Sequence, residues 1–330
     1  MFDLGIDIDQ LDEYGSTCVH LGVAKLDINT VRCLIEYCEG VDVRDFAGAS
    51  TLMKARGMYR RLNAQLEEID DTISCVERKK KRDIVKAGVE CDIHRCETII
   101  KYLREQGFED AQSDLVLESA ALALLLNIGA SCDFNPPLKV TLVSAKSHEE
   151  LIDHPSLGAF YVENCISPKL IDFLLTTYTK LPLSSQRERK VAVCSLRKYY
   201  HDFSATLALT LSNSLSKVGM TGAVVFSNVR FLDYNQPGSE LPAHIDLCKV
   251  EPLTGRRSTH TILLYLSDFE FGGETALLLE EKNGESGLNV ICDVGVKAGR
   301  CLVFDHNTPH CGRLVRDGGK KLIRTECYFQ

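Results

Sequence analysis

Nowhere in the 330 residues does an apolar run approach 18 positions, so the sequence offers no membrane-spanning helix. The start, Met1-Phe2-Asp3-Leu4-Gly5-Ile6-Asp7, lacks the basic and apolar regions of a secretory leader. The 14 cysteines are scattered, and no Cys-x-x-Cys pair occurs among them. Without a leader they read as reduced thiols of a cytoplasmic protein, with the nucleus as the alternative. A zinc site built on Cys91, His94 and Cys96 would lack a second ligand cluster. Positive charge is short as well. The formal net charge is −8 and the pI about 5.7, which argues against a nucleic-acid partner and against a membrane-surface partner.

What is present divides into two parts. The length suggests two domains, and 45% apolar residues suffice for their cores. In the first part a pattern returns after 33 positions: Asp12 and Asp45, Gly15 and Gly48, Thr17 and Ser50, Val19 and Leu52. That period with a Gly-x-Thr start resembles the ankyrin repeat, whose helix pairs must stack to bury their apolar faces. Leu124 to Asn135 looks like the end of a late repeat, and Ile93–Leu103 and Asp114–Leu126 look like further helices of the array. His20 and His94 read as structural. Between the repeats, about Tyr59 to Lys86 is charged and helical, an elongated pair of helices ending in Glu77-Arg78-Lys79-Lys80-Lys81-Arg82-Asp83. That basic run reads as a solvated helix face, with a nuclear-import signal as the alternative. Pro136-Pro137 ends the helical part.

The second part is strand-rich, and its chemistry is concentrated in His244–Tyr328. His244 and Asp246 are two apart, so on a strand they leave the same face and suit neighbouring positions on one metal. His310 is the best third ligand, and two histidines with one carboxylate on one octahedral face leave three positions open. Thr259, Thr261, Leu263 and Tyr265 share one face of a strand. Lys320 follows His310 by ten positions and opens another strand. A lysine charge and the Thr261 hydroxyl together suit the far carboxylate of a dicarboxylate.

The order of these motifs resembles the prolyl 4-hydroxylase-like Fe(II)/2-oxoglutarate dioxygenases. The matching stretches are His244-Ile245-Asp246, Thr261–Leu266, Gly272-Gly273-Glu274-Thr275, Gly299–His306, His310 with Gly312, and Lys320 with Arg324-Thr325. The resemblance runs from about Leu157 to the C-terminus. It implies an α+β multidomain chain: residues 1–140 an ankyrin-like helical repeat domain with a charged helical insertion, residues 150–330 a dioxygenase domain. The latter would be a double-stranded β-helix (jelly roll) with supporting helices near Lys169–Thr179 and Ser204–Val218 and strands from Val224 onward. It also implies His244, Asp246 and His310 as Fe(II) ligands, and Lys320 with Thr261 as 2-oxoglutarate contacts. Tyr234, ending a strand before the Asn235–Gly238 turn, becomes a further cosubstrate contact. Leu241 departs from the family, which often has tyrosine there. Arg324 shares the strand face of Lys320 and competes with it as carboxylate anchor.

The implied reaction consumes 2-oxoglutarate and O2, releases succinate and CO2, and hydroxylates a substrate; L-ascorbate commonly serves the family as reductant. Arg256 and Arg257, in the loop after the iron motif, are expected to help select that substrate. A prolyl residue of a protein is the expected target, bound through the repeat half. A free amino acid or small metabolite is the alternative within enzymes. A non-catalytic ankyrin-type adaptor is the alternative outside them, and a cupin-like metal protein without 2-oxoglutarate is a third.

Overall fold

The computed structural model describes residues 10–37, 43–71, 76–109, 140–142, 159–184, 195–218, 220–251, 255–270, 272–280 and 288–329. Contacts divide the chain into two compact units. One is Met1–Gly129 with His201–Leu209 and Pro252–Gly255; the other is the remainder. No described helix is long and apolar enough to cross a membrane.

In the first unit, helix α1 (Cys18–Ala24) begins at Thr17, whose hydroxyl accepts from the His20 amide while His20 Nδ1 accepts from the Thr17 amide. This reciprocal cap uses histidine where glutamate is usual. Burial, then the charge of Lys54, pushes His20 down to about 3, so it stays neutral and able to accept. Helix α2 (Ile28–Tyr37) packs back on α1. The turns ahead of α1 and of helix α3 (Thr51–Asp71) are built alike. Asp12 Oδ1 accepts from the amides of Tyr14 and Ser16; Asp45 Oδ1 accepts from those of Ala47 and Ala49. Gly15 and Gly48 both take a left-handed φ, 76° and 80°. The 33-residue period therefore appears as one turn made twice. Lys54 fastens the two turns, donating to Ser16 Oγ at 2.6 Å and pairing with Asp45 Oδ2 at 2.9 Å.

Helix α4 (Val76–Glu105) runs for 30 residues and α3 for 21. Leu52, Leu62, Cys96, Ile99 and Leu103 of this long hairpin share a core with Val19, Val23, Val31 and Ile35. The charge pattern predicts an elongated pair over about Tyr59 to Lys86 with a separate helix at Ile93–Leu103; the pair instead spans Thr51–Asp71 and Val76–Glu105, and Ile93–Leu103 lies in the last part of α4. The helix expected at Asp114–Leu126 lies outside the described residues. One repeat-like hairpin followed by a long one is what the described residues contain, and a stacked array is not shown by them. The fragment at residues 124–135 lies outside the described residues. Cys96 is buried against the Ala55 carbonyl, whereas Cys91 and His94 are exposed, so these three form no metal site.

The second unit is built on two antiparallel sheets, consistent with the expected jelly roll. Its strands are β1 (Val140–Leu142), β2 (Phe160–Val162), β3 (Leu196–His201), β4 (Ala223–Val225), β5 (Asn228–Tyr234), β6 (Ser239–His244), β7 (His260–Tyr265), β8 (Thr275–Glu280), β9 (Leu288–Val294), β10 (Cys301–Asp305), β11 (His310–Val315) and β12 (Lys320–Phe329). The larger sheet runs β1-β2-β10-β7-β12-β5-β3, with β4 also on β12; the smaller runs β6-β11-β8-β9. Alternate residues of both sheets meet in one core, among them Leu232, Tyr265, Leu277, Phe304, Val315 and Leu322. Helix α5 (Pro168–Lys180) starts at Ser167, whose hydroxyl accepts from the Leu170 amide, with proline in the first turn. Helix α6 spans Thr206–Lys217. Both helices fall within two residues of their expected positions. Strand β3 lies before Val224, where no strand was expected.

Candidate metal centre and its pocket

His244 ends β6 and His310 begins β11, and the two are direct cross-strand partners. Asp246 follows β6 by two residues, anchored by its amide to the His306 carbonyl. One ligand atom from each of His244, Asp246 and His310 lies within 4.8 Å of the others. Both Nε2 atoms sit 3.7 Å from an Asp246 oxygen. Each Nδ1 is tied back to a main-chain carbonyl, His244 to Pro242 at 2.8 Å and His310 to Thr308 at 3.0 Å. Those bonds put the proton on Nδ1 and turn an unprotonated Nε2 inward, the arrangement metal-binding histidines use. Burial pushes His310 down to about 4, against the pull of Asp246, so its ring is neutral at ordinary pH. Burial raises the Asp246 carboxyl, but Arg324, His310, the Thr261 hydroxyl and His244 outweigh it and hold it below the usual carboxylate range. Two imidazoles turned inward through Nε2 and one carboxylate on one side of a cavity suit Fe(II) with positions to spare.

Asp246 is oriented by a chain of hydrogen bonds whose directions can be assigned. The Lys249 amide donates to Ser258 Oγ at 2.8 Å, and Ser258 Oγ lies 2.7 Å from His306 Nε2. Thr261 Oγ1 lies 2.9 Å from His306 Nδ1 and 2.7 Å from Asp246 Oδ2. An ionised Asp246 can only accept, so Thr261 donates to it and receives from His306 Nδ1–H. His306 Nε2 then accepts from Ser258. Burial lowers the His306 pKa, in keeping with a neutral ring. Thr261 was expected beside the cosubstrate carboxylate. The structure turns its hydroxyl to Asp246 instead, because Thr261 faces Glu326 across β7–β12, two rows from Leu322 and three from Lys320.

The pocket beside the metal ligands encloses about 440 Å³. Lys320 reaches its floor, 1% exposed, with its ammonium donating to the Gly273 carbonyl and lying 5.0 Å from the Tyr234 ring centroid. Burial pushes its pKa down to about 8, and Glu274 opposes. A buried ammonium with a carbonyl for a partner gains much from an anion placed beside it. Tyr234 lines the same floor, with burial raising its hydroxyl to about 12. Arg324 also lines the pocket, but its Nη2 is engaged by Asp246 Oδ1 at 3.1 Å and Glu326 Oε1 at 3.2 Å.

Arg256 and Arg257 are not among the lining residues. Arg256 lies over the Tyr328 ring at 5.3 Å, and Arg257 reaches Cys248 Sγ at 3.7 Å. Residues 252–254 of that loop lie outside the described residues. Among the charged lining residues, Arg230, Arg197 and Lys249 escaped the sequence reading. Arg230 had a signal, an even separation from Tyr234 on one strand. Arg197 had none, since it stands on the unexpected β3. The support from His306 and Ser258 was also missed.

Residues 229–329, about a third of the chain, match the model of the 2OG-Fe(II) oxygenase superfamily. No curated protein sequence matches the chain. Among solved structures, a viral collagen prolyl hydroxylase from Paramecium Bursaria Chlorella virus-1 is 16% identical, covering 51% of this chain and 94% of that one, with a TM-score of 0.35. A Pseudomonas putida prolyl-4-hydroxylase is 15% identical over 51% of this chain and 91% of that one, with a TM-score of 0.35. HygX from Streptomyces hygroscopicus, solved with nickel and 2-oxoglutarate, is 15% identical over 52% and 82%, with a TM-score of 0.38. Likeness at that level does not reach as far as reaction or substrate. The family match and the His244–Asp246–His310 cluster fall in the same stretch of chain, and that stretch is similar to the 2OG-Fe(II) oxygenase superfamily.

Proposed function

We propose that the chain is an Fe(II)- and 2-oxoglutarate-dependent dioxygenase that hydroxylates a substrate carbon, R–H + 2-oxoglutarate + O2 giving R–OH + succinate + CO2. The observation that carries this reading is the inward turn of His244 Nε2, His310 Nε2 and Asp246 beside a buried lysine. His244, Asp246 and His310 would hold the iron, and Lys320 with Tyr234 would bind the far carboxylate of 2-oxoglutarate. Bound Fe(II), with the cosubstrate and O2, supplies the oxidant. The protein's part is to bind, orient and exclude water. The His306–Thr261 chain fixes the Asp246 oxygens, and Lys320 fixes the cosubstrate's far end. Leu263 and Leu322 give the cavity wall an apolar stretch that keeps water from the reacting carbon.

On the sequence resemblance the substrate is a prolyl residue of a protein. Residues 1–140 would be an ankyrin-like repeat domain presenting that protein to the oxygenase domain at 150–330, in the cytoplasm or nucleus, with ascorbate as reductant. A free amino acid or small metabolite is the second reading, and the arginines of the cavity wall favour it.

The test is succinate release by the anaerobically Fe(II)-loaded full chain on admitting O2, with and without 2-oxoglutarate. Turnover that His244→Ala abolishes, and that Lys320→Ala slows unless the cosubstrate is raised, is the expected outcome. A native protein that neither turns over nor binds 2-oxoglutarate would make the adaptor reading the right one.

A further inference from the structure

Lys320 and Arg324 face the same cavity from β12, yet the reaction accounts only for Lys320. Side chains at 320, 322, 324 and 326 leave one face of that strand. Arg324 uses a single nitrogen, Nη2, for two carboxylates: Asp246 Oδ1 at 3.1 Å and Glu326 Oε1 at 3.2 Å. That nitrogen carries two protons, one for each. The side chains of Arg324, Asp246 and Glu326 are 12%, 7% and 10% exposed, so the guanidinium is a counter-charge shared by two enclosed carboxylates. Asp246 Oδ2 meanwhile accepts from Thr261 at 2.7 Å. Both oxygens of the expected metal ligand thus carry a donor, one neutral and one cationic. A neutral donor orients a ligand. A cation also draws electron density from it and repels the metal, and that repulsion grows with the metal's charge.

We infer that Arg324 is a positioning residue that biases bound iron toward Fe(II), the state from which the reaction starts. It acts through Asp246, by holding Oδ1 and by opposing the third positive charge of Fe(III). Glu326 sets how strongly, because it shares the same nitrogen. This rests on the dioxygenase reading and adds to it a control over the metal's oxidation state. The repulsion falls on the extra charge of Fe(III), so its sign does not depend on how well Asp246 is oriented; a loss of orientation alone weakens both oxidation states. The couple is Fe(III) + e− giving Fe(II), with the electron supplied by an electrode through a dissolved mediator.

The test is the potential of that couple in the iron-loaded full chain under nitrogen, without 2-oxoglutarate, read from the ferric electron-spin resonance during a mediated titration. Arg324→Met should favour Fe(III) over Fe(II) by at least about tenfold, a fall of about 59 mV for one electron. Glu326→Gln should move the potential the other way, because the guanidinium then answers one carboxylate fewer. Arg324→Lys, which keeps the charge, should recover more than half of the fall. Lys320→Met takes a charge from the same strand face, about 13 Å away at the Cα atoms, and should move the potential less than half as far as Arg324→Met. A potential that Arg324→Met leaves unchanged, or that Lys320→Met lowers as far, overturns the proposal. So does a fall with Glu326→Gln. Where Arg324→Met leaves two carboxylates together and holds no iron, adding Glu326→Gln to it removes one of them. That double variant is then compared with Glu326→Gln alone, and the same fall is expected. A native chain that binds no Fe(II) removes the dioxygenase reading itself, and this proposal with it; iron bound at a potential indifferent to Arg324 overturns the proposal alone.

Discussion

Thr261 shows how far a single side chain can be read from its neighbours in sequence. Its strand and face were legible from alternation; its partner was not, because the period of two says nothing about which strand lies opposite. With its hydroxyl donating to Asp246, Thr261→Val should weaken Fe(II) binding about tenfold, the usual scale for groups that orient a metal ligand, and leave 2-oxoglutarate affinity at fixed metal occupancy unchanged. A rise in the 2-oxoglutarate KM alone would return Thr261 to the cosubstrate. The meeting of His244, Asp246 and His310 was easier to see, since His244 and Asp246 are two apart on a local pattern and His310 stands ten before Lys320. Lys320 carries a pH prediction. Burial lowers its pKa to about 8, and only the ammonium attracts a carboxylate, so affinity for 2-oxoglutarate should hold below that pH and fall as pH rises through it. The limiting slope is about tenfold per unit. Titrating 2-oxoglutarate from pH 7 to 9.5 checks this, and Lys320→Met should flatten the profile. Folding obeys the opposite sign: the lowered pKa means the unfolded chain holds the proton more tightly, so this lysine's contribution to stability grows from pH 8 toward 10.5.

Among elements, α5, α6 and the strands from Val224 onward were legible through the motif order, and the α3–α4 pair only in part, through its charge. Strand β3 was not. Leu196-Arg197-Lys198-Tyr199-Tyr200-His201 lacks β-branched residues, and its polar positions turn to the cavity and to α5, where Lys198 donates to the Tyr178 carbonyl. A strand that serves a polar pocket loses the alternation that would reveal it. The turn before β8 shows a different constraint. Gly272 and Gly273 take φ of 85° and 70°, and a Cβ on Gly272 would stand 2.8 Å from the Leu314 carbonyl oxygen. Since the Gly273 carbonyl also receives the Lys320 ammonium, this turn both closes the chain and positions that ammonium. Gly272→Ala should cost about 1–3 kcal/mol and lower the melting temperature, with a higher KM for 2-oxoglutarate. An unchanged melting temperature would mean that the turn relaxes at no cost.

At the scale of the whole molecule, charge is segregated. The chain carries a formal −8, yet five of the six charged side chains lining the cavity, histidines apart, are cationic. An anionic cosubstrate is thus repelled at long range and drawn in at short range. Salt screens both, with a Debye length of about 10 Å at 0.1 M. The short-range term, set in a partly enclosed cavity, should win: raising salt from about 0.05 to 0.5 M should weaken 2-oxoglutarate binding, and still more weakly where Lys320 is replaced by methionine. Binding that strengthens with salt would give the surface charge the upper hand. A 33-residue period on one side of Pro136-Pro137 and alternating strands on the other are what the sequence offers for a division into two parts. The pairing of His244 with His310 has one more consequence. Strand β6 is largely exposed, and its ladder with β11 is interrupted by two register shifts, so by itself it is a loosely stitched edge. An ion gripped by both histidines closes a loop of 66 positions at that edge, as a clasp closes a bracelet. Demetallation should therefore be felt first as fraying: the amide protons of β6 would exchange faster while those of β7 and β12, deep in the other sheet, keep their protection.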